Sequence, residues 1–202
     1  MMRWPERVTG KGEKIMIDLL FNGGLWVVVI IIIAVISLLS YVIRMSNALK
    51  MAENKVKELD SDVDVALTKR YDLLTKQYQA VKLYMTYESK TMLDTIMLRK
   101  GMSVNEKSEA ERAIREAAGQ VNAVLEAYPE LASSKNIEVL QNSCTNAEEH
   151  LQAARRLYNA GVTNYNNLCS KFPSSVVASM TGHHMAEYFK GDSDKREDVS
   201  FS

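Results

Sequence analysis

The chain has little that breaks a helix. Its 202 residues include three prolines and nine glycines, and neither type occurs between Arg44 and Ile96. Long uninterrupted helices are therefore allowed. The chain also lacks a cysteine framework, having only Cys144 and Cys169. These lie 25 residues apart in what reads as one helix, roughly 37 Å at 1.5 Å per residue. A disulfide needs Cα atoms within about 7 Å, so the two cannot bridge within one chain. Two buried free thiols are expected instead. No charge of either sign is in excess, with 25 Lys and Arg against 25 Asp and Glu. That balance excludes a dedicated nucleic-acid binder, which needs surplus cations against phosphate. No P-loop, G-x-S-x-G, HExxH or G-x-G-x-x-G signature is present, and Gly10 and Gly12 fall in what reads as a flexible leader. No segment alternates as a strand does.

What the chain does have is one long apolar run. Residues 25–43 read LWVVVIIIIAVISLLSYVI, 19 residues without a charge. As a helix they span about 28 Å, close to the hydrocarbon thickness of a bilayer. Trp26 and Tyr41 sit near the two ends, where interfacial aromatics belong. A buried core helix this apolar on every face would need a much larger protein around it. A cleaved signal peptide has a shorter apolar core and a small-x-small site after it, and Ser37 and Ser40 lie inside the run. The run reads as an uncleaved transmembrane anchor over 25–43, after a leader over 1–24. Within about 15 residues of the run, Lys11 and Lys14 precede it, whereas Arg44, Lys50, Lys55 and Lys57 follow it. This bias points the C-terminal domain to the cytoplasm. Lys11-Gly12-Glu13 can be encoded as a bacterial ribosome-binding sequence, which would put the true start at Met16.

Beyond the anchor the apolar residues recur at threes and fours. One stripe runs through Val56, Leu59, Val63, Leu67, Leu74, Tyr78, Val81 and Met85, with Met92 and Ile96 extending it. Gly101 interrupts the pattern, and Ser103 or Asn105 can cap the next helix. That helix carries Ala110, Ile114, Ala117, Val121, Val124 and Leu125 and ends at Pro129. The last stripe is the longest, through Ile137, Leu140, Cys144, Ala147, Leu151, Ala154, Tyr158, Val162, Tyr165, Leu168 and Phe172, and Pro173 closes it. Sustained three-four spacing means nearly antiparallel helix packing. An all-α bundle over residues 44–180 is expected, with a reversal of the first long helix around residues 70–75. Residues 181–202 form a C-terminal segment, disordered from Gly191.

Asp60, Asp62 and Asp64 suggest a calcium loop. An EF-hand beginning at Asp60 needs Gly sixth and Glu twelfth, where Val65 and Tyr71 stand. The run reads as a solvated or salt-bridged helix face. Tyr158-Asn159 and Tyr165-Asn166 repeat at seven residues, which returns each to one helix face, and packing is the expected role. Gly161 between them is expected to permit close helix approach. His183 and His184 lack further ligands at metal spacing, and His150 beside Glu148 and Glu149 lacks the Glu-x-x-His spacing of di-iron bundles. No metal, cofactor or catalytic residue is expected.

The segments SDVDVALTKRYDLL (61–74), TYESKTM (86–92), YPELASSKNIEVLQ (128–141), AEEHLQAARRLYNAGVTNYN (147–166) and KFPSSVVASMTG (171–182), in this order, resemble the LemA family. The resemblance covers nearly all of the chain after the anchor. It implies a bacterial single-pass membrane protein with an antiparallel four-helix bundle, whose first two helices meet at residues 70–76. It implies no assigned molecular function. Many relatives are encoded beside membrane metalloproteases or small membrane-associated domain proteins, which implies a membrane partner. The chain departs from the family at Asp60, where Trp is usual, at Thr75-Lys76, where Pro-Asn is usual, and at Tyr87, where His is usual.

Glu148 and Arg155 match the family pattern. Arg155 is expected at the core edge, clamping Asp62 or Asp64 on a facing helix in a structural polar network. Val176, Val177, Met180, Tyr188 and Phe189 form an expected interaction segment, with packing across the bundle end as the plain alternative. The leading expectation is a membrane-anchored interaction or scaffold module, not an enzyme, whose partners are the lipid bilayer and a membrane protein. A ligand-binding or enzymatic bundle would instead show a pocket where Asp62, Asp64, Glu88 and Arg155 converge. A membrane sensor is a third expectation, since Arg44 follows Ile43 with no breaker.

Overall fold

The structure is a computed structural model, and it describes residues 10–85, 96, 98, 99 and 101–189, with side chains from residue 24 onward. Residues 1–9, the region 86–95 with Tyr87, Glu88 and Met92, and the tail from Gly191 lie outside the described residues, and the structure says nothing of the expected start at Met16. Among the described residues every regular element is helical. Helix α1 is Gly10–Val81, α2 is Val104–Ala127, α3 is Pro129–Ala132, α4 is Lys135–Ser170 and α5 is Ser174–Met180, and one 3₁₀ turn, Lys82–Tyr84, follows α1. The chain divides into two compact units, residues 1–48 and 49–202.

The first unit is helical from Gly10, where a flexible leader is expected. Residues 14–21 contain no breaker and are rich in Ile, Leu and Met, so helix is permitted there. Ile30, Ile31, Ile32 and Ile33 together cover all faces of the helix, and they are 51–63% exposed. A soluble helix would bury one stripe. Here none of the most apolar stretch is buried, and α1 is the one described helix long and apolar enough to cross a membrane.

In the second unit α1 contributes residues 49–81. Its inward face is Leu49, Val56, Leu59, Val63, Leu67, Leu74 and Val81, all buried, as the three-four spacing requires. Helix α2 starts on a complete capping box. Ser103 Oγ accepts from the Glu106 N–H at 3.2 Å, and the Glu106 carboxylate accepts from the Ser103 N–H at 2.7 Å. This interaction holds the Glu106 carboxyl below its ordinary range, with Arg99 adding to it. Of the two capping residues expected, Ser103 serves and Asn105 is exposed. Pro129 ends α2 by starting α3, at a position where its missing N–H costs nothing.

The packing fixes direction. Leu59 meets Gly161, Arg70 pairs with Glu148 and Gln77 lies beside Cys144, so α1 and α4 run antiparallel. Lys107 binds Asp60 and Glu111 binds Arg155, and the C-terminal half of α2 lies beside Gln77 and Cys144. Helix α2 therefore runs with α1 and against α4.

Three expectations are corrected here. The first helix does not reverse at residues 70–76; it continues to Val81. With Thr75-Lys76 in place of Pro-Asn, no breaker stands there. Thr75 Oγ1 donates back to the Tyr71 carbonyl at 2.9 Å, and Leu74, Gln77 and Val81 keep the inward face buried through the site. Phe172 is not a core residue: α4 ends at Ser170, so the stripe loses its register, and Phe172 is 84% exposed. The thiols of Cys144 and Cys169 are half-buried, not buried. Cys144 lines an open cleft, and burial still pushes its thiol up from the ordinary value.

Candidate functional site

The bundle interior contains a ladder of charges at core register. Lys107 lies three residues before Ala110, and Glu111 three before Ile114, so both project from the apolar stripe of α2. Lys107 is 1% exposed. Its ammonium lies 2.6 Å from Asp60 Oδ1, 2.8 Å from Asp64 Oδ1 and 3.5 Å from the Asp60 carbonyl, which satisfies all three of its donors. Asp60 thus occupies the place of a usual tryptophan as the counter-ion of a buried lysine. One turn along α2, the buried Glu111 carboxylate accepts from Arg155 Nη1 at 2.7 and 2.8 Å, from Arg115 Nη2 at 2.9 Å and from Gln152 Nε2 at 3.2 Å. Gln152 also reaches Glu148 at 2.9 Å, and Glu148 pairs with Arg70 at 2.5 Å.

The structure therefore divides the expected network into two clusters, Asp64 with Lys107 and Asp60 in one, and Arg155 and Glu148 with Glu111, Gln152 and Arg70 in the other. Arg155 clamps Glu111, not Asp62 or Asp64. Asp62 is exposed on the outer face of α1. The α1 carboxylates that face inward sit opposite Lys107, a full helical turn from Glu111 on α2. Sequence reading missed Lys107, Glu111 and Arg70. The available signal was their register, since a charge on an apolar stripe is either an error or a pair. Ion pairs of this kind add little net stability but penalise any register that separates them.

A cleft opens beside the ladder. A pocket of about 250 Å³ is lined by Arg70, Leu74, Gln77, Cys144, Thr145 and Glu148, among others. It shares Gln77, Cys144 and Thr145 with a neighbouring pocket of about 680 Å³ that reaches Pro129 and Ser133. Arg70 Nη1 is buried and has no hydrogen-bond partner among the described residues. Asp62, Asp64 and Arg155 do not line this cleft, and Glu88 lies outside the described residues. Among the described residues no group of three or more His, Cys, Asp or Glu side chains is placed to hold a metal.

The C-terminal segment has two fates. Val177 and Phe189 are buried, while Val176, Met180 and Tyr188 are exposed. Phe189, 3% exposed, packs edge-on against Tyr158 with centroids 4.9 Å apart, and the Arg155 guanidinium sits 5.6 Å from its ring centre. Both Tyr-Asn pairs turn out to address this segment. Asn159 accepts from the Phe189 N–H at 2.9 Å and donates to its carbonyl at 3.0 Å. Asn166 does the same to Ala186, at 2.8 and 3.0 Å. The Tyr158 hydroxyl donates to the Glu187 carbonyl at 3.1 Å. Burial, with Asp60 and Glu187 nearby, pushes that hydroxyl up to about 12. At the start of the segment the His183 ring lies 3.6 Å from Glu53, whose carboxyl Lys57 and Lys50 hold down at about 2.

Known proteins resemble this chain at two levels. Residues matching two magnetosome proteins of Paramagnetospirillum magneticum, MamQ 2 and MamQ 1, are 32% identical over 81 residues, 40% of this chain. The magnetosome protein MamQ of Magnetospirillum gryphiswaldense is 29% identical over 80 residues. The match spans only 30% of the length of the first two relatives. A family model covers far more, matching residues 60–202, and these include the ladder, the cleft and both Tyr-Asn pairs. The chain belongs to the LemA family.

Proposed function

We propose that this chain is a single-pass membrane protein whose bundle acts as a protein-interaction module at the membrane surface. The observation that carries the membrane part is the exposure of residues 25–43 on every face. Fourteen of these residues are Leu, Ile or Val, and their transfer into a bilayer is worth about 4–8 kcal/mol on an insertion scale. Within about 15 residues of the run, the bias of Arg44, Lys50, Lys55 and Lys57 over Lys11 and Lys14 supports a cytoplasmic bundle. The interaction part rests on α5. Val176 and Met180 lie one turn apart on its outer face, and Phe172, just before the helix, is exposed as well. That short apolar stripe fits a membrane-protein partner, such as a membrane metalloprotease or a small membrane-associated domain protein, and not nucleic acid.

The test is affinity capture after crosslinking in native membranes, comparing the full chain with a Phe172→Ser, Val176→Ser, Met180→Ser variant. Loss of a specific membrane partner is expected. The same partners at the same yield would sink the interaction part, and full protease resistance of the bundle in cytoplasm-side-out vesicles would sink the orientation.

One observation favours a second reading, a ligand-binding bundle. The buried, unpartnered Nη1 of Arg70 lines the cleft that holds Cys144 and Thr145. A small anionic ligand there would raise the melting temperature of the full chain, and Arg70→Met would abolish the rise. A panel of small carboxylates and phosphates with no shift would discard it.

A further inference from the structure

The bonds between α4 and residues 186–189 have the form of a recognition site. Each asparagine amide satisfies both the N–H and the C=O of one residue, as a neighbouring β-strand would. Such contacts read main chain, not side chain, so they accept any extended segment of suitable register.

The register itself is informative. Asn159 and Asn166 are seven residues apart on a helix, which puts them about 10.5 Å apart along its axis. Ala186 and Phe189 are three residues apart, and three extended residues span at most about 10–11 Å. Two turns of helix therefore match three residues of extended chain. The clamped segment runs antiparallel to α4, Asn166 holding its start and Asn159 its end. Among the described residues, the slot of Tyr158 and Arg155 that takes Phe189 is where the groove selects a side chain. Glu187 is held by its carbonyl, and Tyr188 points out to solvent exposure.

We propose that this face of α4 is a peptide-binding groove for an extended segment with an aromatic anchor. Residues 186–189 fill it here in cis, and the same segment from a second copy of the chain fills it in trans. The occupant is chosen on three grounds. The one sequence seen to fit the groove is this chain's own. The segment leaves α5 through Gly182, whose φ of +72° marks a tight turn that can open as a hinge. The groove and the segment are present in equal number on every copy, and a membrane anchor would confine copies to one plane.

In cis the segment has an effective concentration of roughly millimolar order, so exchange is weak in dilute detergent solution and favoured by crowding in the membrane. Complementary variants remove that competition. One full-length copy carries Asn159→Ala and Asn166→Ala, which break the groove and leave the segment intact. The other carries Ala186→Pro and Phe189→Ala, which remove the N–H that Asn166 accepts from and the aromatic anchor. The two are co-expressed with different tags in native membranes.

At least ten-fold more co-purification of the mixed pair than of either variant with itself is expected. Equal co-purification of mixed and self pairs, with both variants melting cooperatively, overturns the proposal. So does capture of a different protein by the segment-broken copy with no pairing between copies. If the alanine pair fails to fold, Asn159→Asp and Asn166→Asp replace it, since they keep the acceptor and lose the donor. A labelled peptide of residues 183–190 supplies an independent measure on the segment-broken copy. Saturable binding, lost at least ten-fold when the peptide's phenylalanine is replaced by alanine, is expected, and no binding overturns the groove itself. Neither outcome bears on the α5 stripe, whose residues are untouched.

Discussion

Lys107 offers the sharpest test of how the bundle is held. Its ammonium is fully buried, while Asp60 and Asp64, its counter-ions, are each about one-third exposed. The two sides of the pair should therefore respond unequally to loss of the other. In Asp60→Asn with Asp64→Asn, a positive charge stays in a buried site without a carboxylate. Removing the partner of a buried ion costs about 3–5 kcal/mol. In Lys107→Met, the unbranched chain still fills its volume and the buried charge disappears. The two carboxylates left behind can turn to water, so the cost is about 1 kcal/mol or less. Thermal or urea unfolding of the full chain in mild detergent, followed by circular dichroism, reads both. The double asparagine variant should lose at least three times the stability that Lys107→Met loses. Equal losses, or a larger loss in Lys107→Met, would mean that the lysine is not buried as a charge and would refute the reasoning.

Two further outcomes follow from close packing and from proton linkage. A Cβ on Gly161 would stand 2.5 Å from Leu59 Cδ1, so Gly161→Leu should cost about 1–3 kcal/mol by overpacking and lower the melting temperature; an unchanged melt would show that α1 and α4 separate freely there. The Tyr158 and Tyr165 hydroxyls are both pushed up to about 12, first by burial, from an ordinary value of 10. The folded state holds these protons more tightly, so the stability they contribute is intact below pH 10 and is lost as pH rises through 12. Tyrosinate absorbance should rise together with loss of helix in that window, and Tyr158→Phe should weaken the coupling. Ionisation with helix unchanged at pH 12 would contradict it.

The legibility of this chain differs from element to element. The apolar stripe of α1 could be read because Val56, Leu59, Val63 and Leu67 repeat with the helix, and burial follows that repeat. The reversal near residues 70–76 was misplaced because an antiparallel bundle needs one without fixing where, and the family pattern that agreed rests on a Pro-Asn that this chain lacks. Phe172 was assigned to the core by spacing alone, and spacing does not show that α4 stops at Ser170. The Tyr-Asn repeat is visible as one helix face and its tyrosines are buried as that face requires, but what its asparagines hold is not written in their spacing.

Local chemistry along the chain was enough to determine the helices, their inward faces, the Ser103 cap and the apolar run over residues 25–43. Each depends on neighbours within a few residues, and a repeat of three or four records them. Partner choice depended on tertiary structure. Arg155 had several carboxylates within reach on any helix that might face it, and only the parallel course of α1 and α2 put Glu111 there and left Lys107 to Asp60 and Asp64. The same holds for Asn159 and Asn166, whose partners are backbone atoms twenty and thirty residues away. A main-chain amide has no identity in a sequence, so a site built to hold one becomes visible only when the chain has folded back onto it.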